Sequence, residues 1–236
     1  MGIAYHKQID SKTSFAVWKI EESAEDLYSR LQLNDKENAF LDSLSKGKRN
    51  LHWLSTRNLL RKMLNTDKYI DCRVDDHGKP YLVNFPHYIS FSHSFDYAAV
   101  MISEDKPVGI DIELVKSKIT RVAKKFMSAD ELSFIDPDNS IAHLYTCWCA
   151  KEAIYKLHGK PNVSFKDHIH LRPFRYQGEG CFGASLQLNE QLLFDVHYEC
   201  FADYMIGYVA GVKPDSNKHE YLMQDSKTAN RKNILQ

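Results

Sequence analysis

The chain has 236 residues, 43% of them hydrophobic, which is enough for a sizeable core in one large domain or two small ones. Its 31 basic residues balance its 31 acidic residues, so the total charge gives no reason to expect binding to nucleic acid or to a membrane surface. The first ten residues do not resemble a signal peptide, and no later run is apolar enough to span a bilayer. We therefore expect a soluble, cytoplasmic protein.

The five cysteines are scattered along the chain and are odd in number. The one close pair, Cys147 and Cys149, falls two residues apart in a predicted helix, so the two side chains point to different faces. This is poor geometry for a zinc site, and no second pair is in view. Buried thiols in a reducing cytosol are the expected state.

In the first half, helices are predicted to precede most of the strands. An alternating stretch at 14–20 predicts an opening strand, and Ser23 precedes a short helix at 26–33. One longer helix is expected over roughly 35–64, where apolar residues recur every three or four positions. A turn signal at 75–78 leads into short strands predicted at 81–83, 88–91 and 97–102.

The second half has a similar order of elements, without a recognisable sequence repeat. After the break at Lys106-Pro107, a strand is predicted over Val108–Leu114. Ser128 and Glu131 fit a capping box, and Ser140 is expected to cap a helix that Gly159 ends. Strands follow at 169–171, 181–188, 193–199 and 204–212, and the polar stretch 214–236 is expected to be a loosely ordered tail.

Two carboxylates follow Gly109 on one predicted strand. Because side chains alternate along a strand, Asp111 and Glu113 share a face, about 7 Å apart, while Ile110 and Ile112 point into the core. No cationic neighbour is evident, and two like charges repel each other unless a cation or a donor group joins them. Taken alone, a half-exposed strand with polar residues toward water is the simpler interpretation.

A second motif lies on the predicted helix that Gly159 ends. It contains Trp148, Lys151, Glu152 and Lys156, and the last two are four residues apart on one helix face. An isolated pair of this kind is usually an ordinary surface ion pair.

Two further groups of residues are suited to binding phosphate. The run Ser92-His93-Ser94, predicted to lie on a loop, offers hydroxyls and an imidazole to phosphate oxygens, although serines also commonly cap turns. The segment 46–65 contains no acidic residue, so its basic side chains lack local partners; a solvated helix face is the alternative. These side chains are Lys46, Lys48, Arg49, Arg57, Arg61 and Lys62, and Lys79 follows in Gly78-Lys79-Pro80.

Carboxylates for a divalent metal, combined with basic groups for phosphates, are the equipment of phosphoryl-group transfer. A nucleoside triphosphatase is not indicated, because the sequence has no Walker-type glycine-rich loop. A serine hydrolase is not indicated either, because there is no Gly-x-Ser-x-Gly elbow.

In this order along the chain, the motifs resemble those of the surfactin-type 4'-phosphopantetheinyl transferases. The resemblance rests on Gly109-Ile-Asp-Ile-Glu113 and on Trp148-x-x-Lys-Glu-Ala-x-x-Lys156, preceded by the Gly-Lys-Pro and Ser-His-Ser runs. The basic helix is similar to that of the siderophore-associated members. The resemblance extends to about residue 212.

This resemblance implies a pseudo-dimeric α+β fold of two similar lobes, 1–106 and 107–213, with the active site in the cleft between them. It implies transfer of the phosphopantetheine arm of coenzyme A to a serine of an acyl or peptidyl carrier protein by a monomer. Mg²⁺ would be held by Asp111, Glu113 and Glu152, with Glu152 and Lys156 catalytic. Coenzyme A would be bound by Lys48, Arg49, Arg57, Arg61, Lys79, Ser92 and His93.

The sequence departs from the family pattern in two places. Cys149 stands where the family usually has serine or threonine, and Phe95-Asp96-Tyr97 is bulkier than the usual small residues after Ser-His-Ser. Two other functions are left open by the sequence: a non-catalytic module that binds coenzyme A or a carrier protein, and a metal-dependent nucleotide phosphohydrolase.

Overall fold

Two antiparallel sheets form the centre of the computed structural model, which describes residues 2–44 and 47–212. The first half comprises β1 (Ile3–Asp10), β2 (Thr13–Lys19), α1 (Ala24–Ser29), α2 (Asp35–Ser43), α3 (Lys48–Met63), β3 (Cys72–Val74), β4 (Pro80–Leu82), β5 (Tyr88–Ser94) and β6 (Tyr97–Ser103). The second half comprises β7 (Val108–Leu114), α4 (Ile119–Phe126), α5 (Ala129–Ser133), α6 (Ser140–His158), β8 (Ile169–Leu171), β9 (Glu179–Gln187), β10 (Gln191–Phe201) and β11 (Tyr204–Ala210).

The two sheets divide along the chain. The first has the strand order β1-β2-β6-β5, the second has the order β7-β11-β10-β9-β8, and β3 pairs with β4 in a separate hairpin. The mixed α+β class that the sequence predicts is thereby confirmed. None of the helices within the described ranges is both long and apolar enough for a membrane span.

Three buried clusters hold the layers together. One lies between the first sheet and α1 and α3, with Trp18 and Leu59 fully buried. A second lies between the second sheet and α6. The third joins the two sheets, where Phe15 on β2 and Ile110 on β7 are fully buried. Because β2 and β6 are covered on both faces, each contains an unbroken apolar run, 15–18 in β2 and 97–102 in β6, rather than an alternating pattern.

Two glycines allow α6 to lie directly on the second sheet. A Cβ at Gly109 would lie 1.9 Å from the carbonyl oxygen of Ala153, and one at Gly207 would lie 2.8 Å from Cβ of Cys149. Real Cβ atoms do not approach other atoms this closely, so each strand needs glycine opposite the helix. The glycine of the first motif therefore sets the distance between β7 and α6.

A buried ion pair fixes α6 from its other side. The ammonium of Lys151, which is fully buried, donates to Glu131 Oε2 at 2.8 Å and to the carbonyls of Phe165 and Ile169 at 2.7 Å each. The same Glu131 closes the predicted capping box with Ser128. All three N–H donors of the Lys151 ammonium are thus bonded within the protein. Its sequence neighbour Glu152 lies on a different part of the helix surface.

Several predicted elements differ from those in the structure. The single helix over 35–64 is wrong: α2 ends at Ser43 and α3 begins at Lys48, because Gly47 has a φ of 123°, far from helical values. The short helix ends at Ser29 rather than 33. Asn139, not Ser140, stands at the cap position of α6, whereas Gly159 ends that helix as predicted.

Three elements were not predicted at all, namely β1, β3 and α4. The strand β1 is an edge strand with many exposed positions, and β3 has only three residues, so neither carries a strong apolar pattern. Of the basic residues named above, Lys46 lies outside the described ranges, as does the predicted tail at 214–236.

Candidate active site

A cavity of about 1190 Å³ is lined by residues from both halves of the chain. Its walls come from α2, α3, the β3–β4 hairpin and β5 of the first half and from β7 and α6 of the second. Of the residues singled out in the sequence, Arg49, Arg57, Lys79, Ser92, His93, Asp111, Glu113, Glu152 and Lys156 line it. One cavity therefore brings together motifs that are up to about a hundred residues apart in the chain.

Asp111 is one of three carboxylates that line this cavity, with Glu113 and Glu152. The residue is 4% exposed, and its Oδ1 accepts hydrogen bonds from Ser92 Oγ and from Lys156 Nζ, both at 2.7 Å. Lys156 also donates to the carbonyl of Ile110 at 3.1 Å. The expectation that Asp111 has no cationic neighbour is therefore wrong, because Lys156 reaches across from α6 to β7.

A ladder of serine hydroxyls joins β5 to β7. Ser90, Ser92 and Ser94 accept the backbone N–H groups of Ile110, Ile112 and Leu114, at 3.1, 3.2 and 3.2 Å respectively. All three serines are buried and lie on one face of β5, two residues apart. Their side chains take the place of a direct backbone ladder between these strands, and so connect the two sheets.

Two members of this ladder also orient carboxylates. Ser92 donates to Asp111, and Ser94 donates to Glu113 Oε2 at 2.8 Å. The predicted loop for Ser92-His93-Ser94 is wrong, because the run lies on β5, in register with β6. Since the Ser92 hydroxyl already donates to a carboxylate and accepts a backbone N–H, its place in the site is beside Asp111.

Burial and neighbouring negative charge disfavour the ionisation of Glu113 and Glu152. The pKa of Glu152 is raised to about 7, first by burial and then by the charges of Asp111 and Glu113, against the lowering effect of Lys156. The pKa of Glu113 is also raised, first by burial and then by Asp111. A positive charge added to such a site stabilises it, because the charge offsets the cost of burying ionised carboxylates and reduces their mutual repulsion.

The donor set fits a hard divalent cation. Oδ2 of Asp111 is buried and, among the described residues, receives no hydrogen bond. Carboxylate oxygens are the ligands that Mg²⁺ prefers, and the metal is commonly shared with substrate phosphates. Within 2–44 and 47–212, no three His, Cys, Asp or Glu side chains already stand in a metal-binding arrangement. In the structure, the ammonium of Lys156 supplies positive charge next to Asp111.

Arg57, on α3, also lines the cavity. Its guanidinium lies between two aromatic rings, 4.5 Å from the centroid of Trp53 and 5.0 Å from that of Phe91. It donates to Thr56 Oγ1 at 3.1 Å, while its buried Nε meets no acceptor among the described residues. Burial lowers the pKa of Arg57. Because the partly buried guanidinium forms no ion pair with an acidic side chain among the described residues, it is suited to attract an anionic group.

Lys79 and His93 are two further basic residues in the lining of the cavity. Asp75 Oδ1 accepts the N–H groups of His77 and Lys79, which shapes the predicted turn, and the Lys79 ammonium donates to the carbonyl of Leu157. Burial lowers the pKa of Lys79. The ring of His93 stacks on His52 with 4.2 Å between centroids.

The pKa of His93 is lowered to about 4, by desolvation of the stacked ring first and then by His52 and Lys156. The imidazole is therefore neutral at pH 7, and it can still donate one hydrogen bond to a phosphate oxygen.

Two predicted coenzyme ligands lie away from the cavity walls. Lys48 is 3.8 Å from Asp96 at the surface, and Arg61 donates to the carbonyls of Asp67 and Lys68. Sequence reasoning missed the aromatic lining residues Phe40, Trp53, Phe91 and Tyr155, as well as His77 on the hairpin. The one available signal was the helical spacing of Trp53 and Arg57, which are four residues apart.

Comparison with known families supports the interpretation of the motifs. Residues 107–209, which contain all three carboxylates and Lys156, match the family model described as the 4'-phosphopantetheinyl transferase superfamily. The match covers 103 of the 236 residues, a little under half of the chain. The resemblance to 4'-phosphopantetheinyl transferases drawn from the two motifs is therefore confirmed.

Individual 4'-phosphopantetheinyl transferases match about half of the chain. One from Bacillus subtilis is 35% identical over 131 residues, which cover 50% of this chain and 58% of the relative. The 4'-phosphopantetheinyl transferase Sfp of Bacillus subtilis strain 168 is 30% identical over 123 residues, covering 48% of this chain and 54% of Sfp. The transferase AcpT of Salmonella typhi is 28% identical over 137 residues, covering 56% and 70%. The chain thus spans little more than half the length of the two Bacillus relatives.

Proposed function

We propose that this protein is a magnesium-dependent 4'-phosphopantetheinyl transferase. It would move the phosphopantetheine arm of coenzyme A to a serine of an acyl or peptidyl carrier protein and release adenosine 3',5'-bisphosphate. The observation that carries the proposal is the arrangement of the cavity. The same cavity is lined by three carboxylates, by Lys156 and by Arg57, whose guanidinium forms no ion pair with an acidic side chain among the described residues.

Asp111, Glu113 and Glu152 are the residues that would hold Mg²⁺. When bound, the ion would neutralise pyrophosphate charge and polarise the phosphorus that is attacked. The donor chemistry supports this assignment, because all three groups are carboxylates and Oδ2 of Asp111 is buried without a hydrogen bond among the described residues. The role of Ser92 and Ser94 would be to hold two of these carboxylates in place.

The phosphates of coenzyme A are assigned to Arg49, Arg57, Lys79 and His93. All four residues line the cavity, and burial disfavours the charged forms of Arg57 and Lys79 in the absence of an anion. The aromatic rings of Trp53 and Phe91 beside Arg57 offer flat apolar surface to a nucleobase. Ser92 is assigned to Asp111 instead, and Lys48 and Arg61 are left out of the site.

Glu152 is proposed to be the general base. Its carboxylate lines the cavity beside Asp111 and Glu113, and a positioned carboxylate can accept a proton and return it to solvent. Glu152 would take the proton from the serine hydroxyl while the serine oxygen forms a bond to the β-phosphorus of coenzyme A. The bond from that phosphorus to the bridging oxygen breaks, and the bridging oxygen leaves with adenosine bisphosphate. Lys156 would stabilise the charge that develops on the leaving group.

The proposal includes the division into two lobes, 1–106 and 107–213, with the active site in the cleft between them. It is supported by the order of elements: in each half, at least one strand precedes three helices, and further strands follow. In both sheets the strand that precedes the helices pairs with the last strand of that half, which pairs with the strand before it; these runs are β2-β6-β5 and β7-β11-β10. A cytoplasmic monomer is the proposed form, which agrees with the buried thiols of Cys147 and Cys149.

The function is tested by incubating the protein with coenzyme A, Mg²⁺ and a panel of apo carrier proteins. Intact-mass spectrometry should find one added phosphopantetheine group, located on the acceptor serine, and chelation with EDTA should prevent it. Release of free phosphopantetheine in the absence of a carrier would instead identify a phosphohydrolase. Binding of coenzyme A with neither product would identify a binding module.

A further inference from the structure

An exposed aromatic residue occupies the turn between β5 and β6. Phe95 is 37% exposed and has a φ of 50°, in the left-handed region of backbone conformations. Glycine and asparagine enter this region readily, whereas a bulky side chain there is uncommon and strained. The turn would form more easily without the ring, so folding alone does not account for a phenylalanine at this position.

The Phe95 ring is held in a defined place. The carbonyl oxygen of Phe95 lies 2.8 Å from Nε2 of His52, a contact that anchors the turn to α3. The ammonium of Lys116 lies 3.7 Å from the ring centroid, and that of Lys48 lies 5.0 Å from it. One lysine comes from each half of the chain, so the ring is flanked by positive charge from both.

The turn that carries this ring directly follows the serine ladder that bonds to the carboxylates. Phe95 directly follows Ser94, whose hydroxyl donates to Glu113, and Lys116 is three residues beyond Glu113. Phe95 is not among the residues that line the cavity. A macromolecule that delivers a serine hydroxyl to the carboxylates from outside would therefore meet this turn.

The surface beyond Lys116 is strongly basic. The segment 115–128 contains no acidic residue, and its basic side chains all lie exposed on α4 and the turn before it. They are Lys116, Lys118, Arg121, Lys124 and Lys125. Such a surface attracts an acidic partner and accelerates its encounter.

We propose that Phe95, flanked by Lys48 and Lys116, is the residue by which this enzyme selects its carrier protein. The partner that fits is an acidic carrier segment that places an apolar side chain on the Phe95 ring, next to the acceptor serine. This inference rests on the proposed transferase function. It adds that specificity for the carrier is set at the β5–β6 turn, apart from the binding of coenzyme A.

The test compares Phe95→Gly with Phe95→Tyr and with Tyr88→Ala in transfer to the apo carrier that the unaltered protein modifies fastest. Glycine suits the backbone of the turn, so the melting temperature should not fall. The KM for the carrier should rise about tenfold, as expected for the loss of one central apolar contact. The KM for coenzyme A and the kcat at saturating carrier should not change. Phe95→Tyr keeps the ring, and Tyr88→Ala removes an exposed aromatic from the opposite end of β5; both should retain the original KM.

An unchanged KM for the carrier in Phe95→Gly, while the unaltered protein is active, would overturn this inference and leave the transferase proposal standing. A parallel rise in the KM for coenzyme A would also overturn it, because Phe95 would then belong to the coenzyme site. Failure of the unaltered protein to modify any carrier would remove the transferase proposal itself, and the selection of a carrier with it.

Discussion

The ammonium of Lys156 lies 2.7 Å from Oδ1 of Asp111 and so joins α6 to β7 in the wall of the cavity. Both residues belong to motifs that are about forty positions apart in the sequence, and neither motif by itself is more than an ordinary polar pattern. Their contact places a positive charge where three carboxylates would otherwise only repel one another. In the proposed enzyme, Lys156 is expected to turn toward the phosphates once coenzyme A and metal are bound.

Asp111→Asn should abolish transfer and weaken Mg²⁺ binding while leaving the fold intact. The amide has the size of the carboxylate, and its oxygen can still accept from Ser92, but it cannot serve as an anionic ligand. The change also relieves the repulsion of Glu113 and Glu152. Calorimetric titration with Mg²⁺ and a thermal melt measure the two effects. Full activity of this variant in Mg²⁺ would remove Asp111 from the metal site.

The serine ladder offers a matched pair of variants. Ser94→Ala removes a hydroxyl that accepts the N–H of Leu114 and donates to Glu113. Ser90→Ala removes one that accepts the N–H of Ile110 and, among the described residues, bonds to no carboxylate. Each variant should lose about 1–2 kcal/mol in the free energy of unfolding, because a buried N–H loses its acceptor. Only Ser94→Ala should also lose Mg²⁺ affinity. Equal Mg²⁺ affinity in both variants would show that the ladder does not position the carboxylates.

The motifs of the second half were predictable because they lie within regular elements. The alternation of β7 fixes the common face of Asp111 and Glu113, and helical spacing fixes the common face of Glu152 and Lys156. The contact between the two faces was not predictable, because it depends on how closely α6 approaches β7. That approach follows from the absence of a side chain at Gly109, which becomes evident only when Ala153 is seen opposite.

Arg57→Met should separate coenzyme binding from stability. The guanidinium lies between Trp53 and Phe91 and forms no ion pair with a described acidic side chain, so a methionine in the same space should preserve or raise the melting temperature. Affinity for coenzyme A should fall by about 1–3 kcal/mol, the scale of a hydrogen bond to a charged group. Arg61→Met is the control, because Arg61 contacts Asp67 and Lys68 outside the cavity. Calorimetry that finds equal coenzyme affinity in both variants would contradict the assignment.

The basic helix illustrates the limit of sequence reasoning at this site. Its charges and its lack of acidic residues were evident from the sequence, but Arg57 and Arg61 are four positions apart and were expected to face the same ligand. In the structure, Arg57 lines the cavity and Arg61 bonds to nearby carbonyls. The rings of Trp53 and Phe91, on two different elements, mark the position of Arg57, and only tertiary structure brings them together.

Stability should fall on acidification partly because of His143. This residue is fully buried, its Nδ1 accepts the N–H of Asp136, and burial lowers its pKa. His143 therefore binds a proton more readily in the unfolded chain than in the folded protein. Its contribution to the free energy of unfolding is complete above about pH 6.5 and is lost as the pH falls below that value. His143→Asn should flatten this part of the pH profile measured by urea unfolding. The same substitution at the exposed His170 should leave the pH dependence of the unfolding free energy unchanged. An equal pH dependence in the unaltered protein and in both variants would contradict the prediction.

The central claim is that the Glu152 carboxylate performs the proton transfer in phosphopantetheine transfer to a carrier. The most direct measurement compares Glu152→Gln with the unaltered protein, by intact mass of the carrier over time and by coenzyme A affinity in the same preparation. Glutamine keeps the size of glutamate but cannot take the proton, and general-base catalysis is worth about 10²–10⁴-fold. We predict that transfer falls by at least this factor, while coenzyme affinity changes far less because Arg57 and Lys79 remain. A Glu152→Gln variant that modifies the carrier at a near-normal rate would contradict the account.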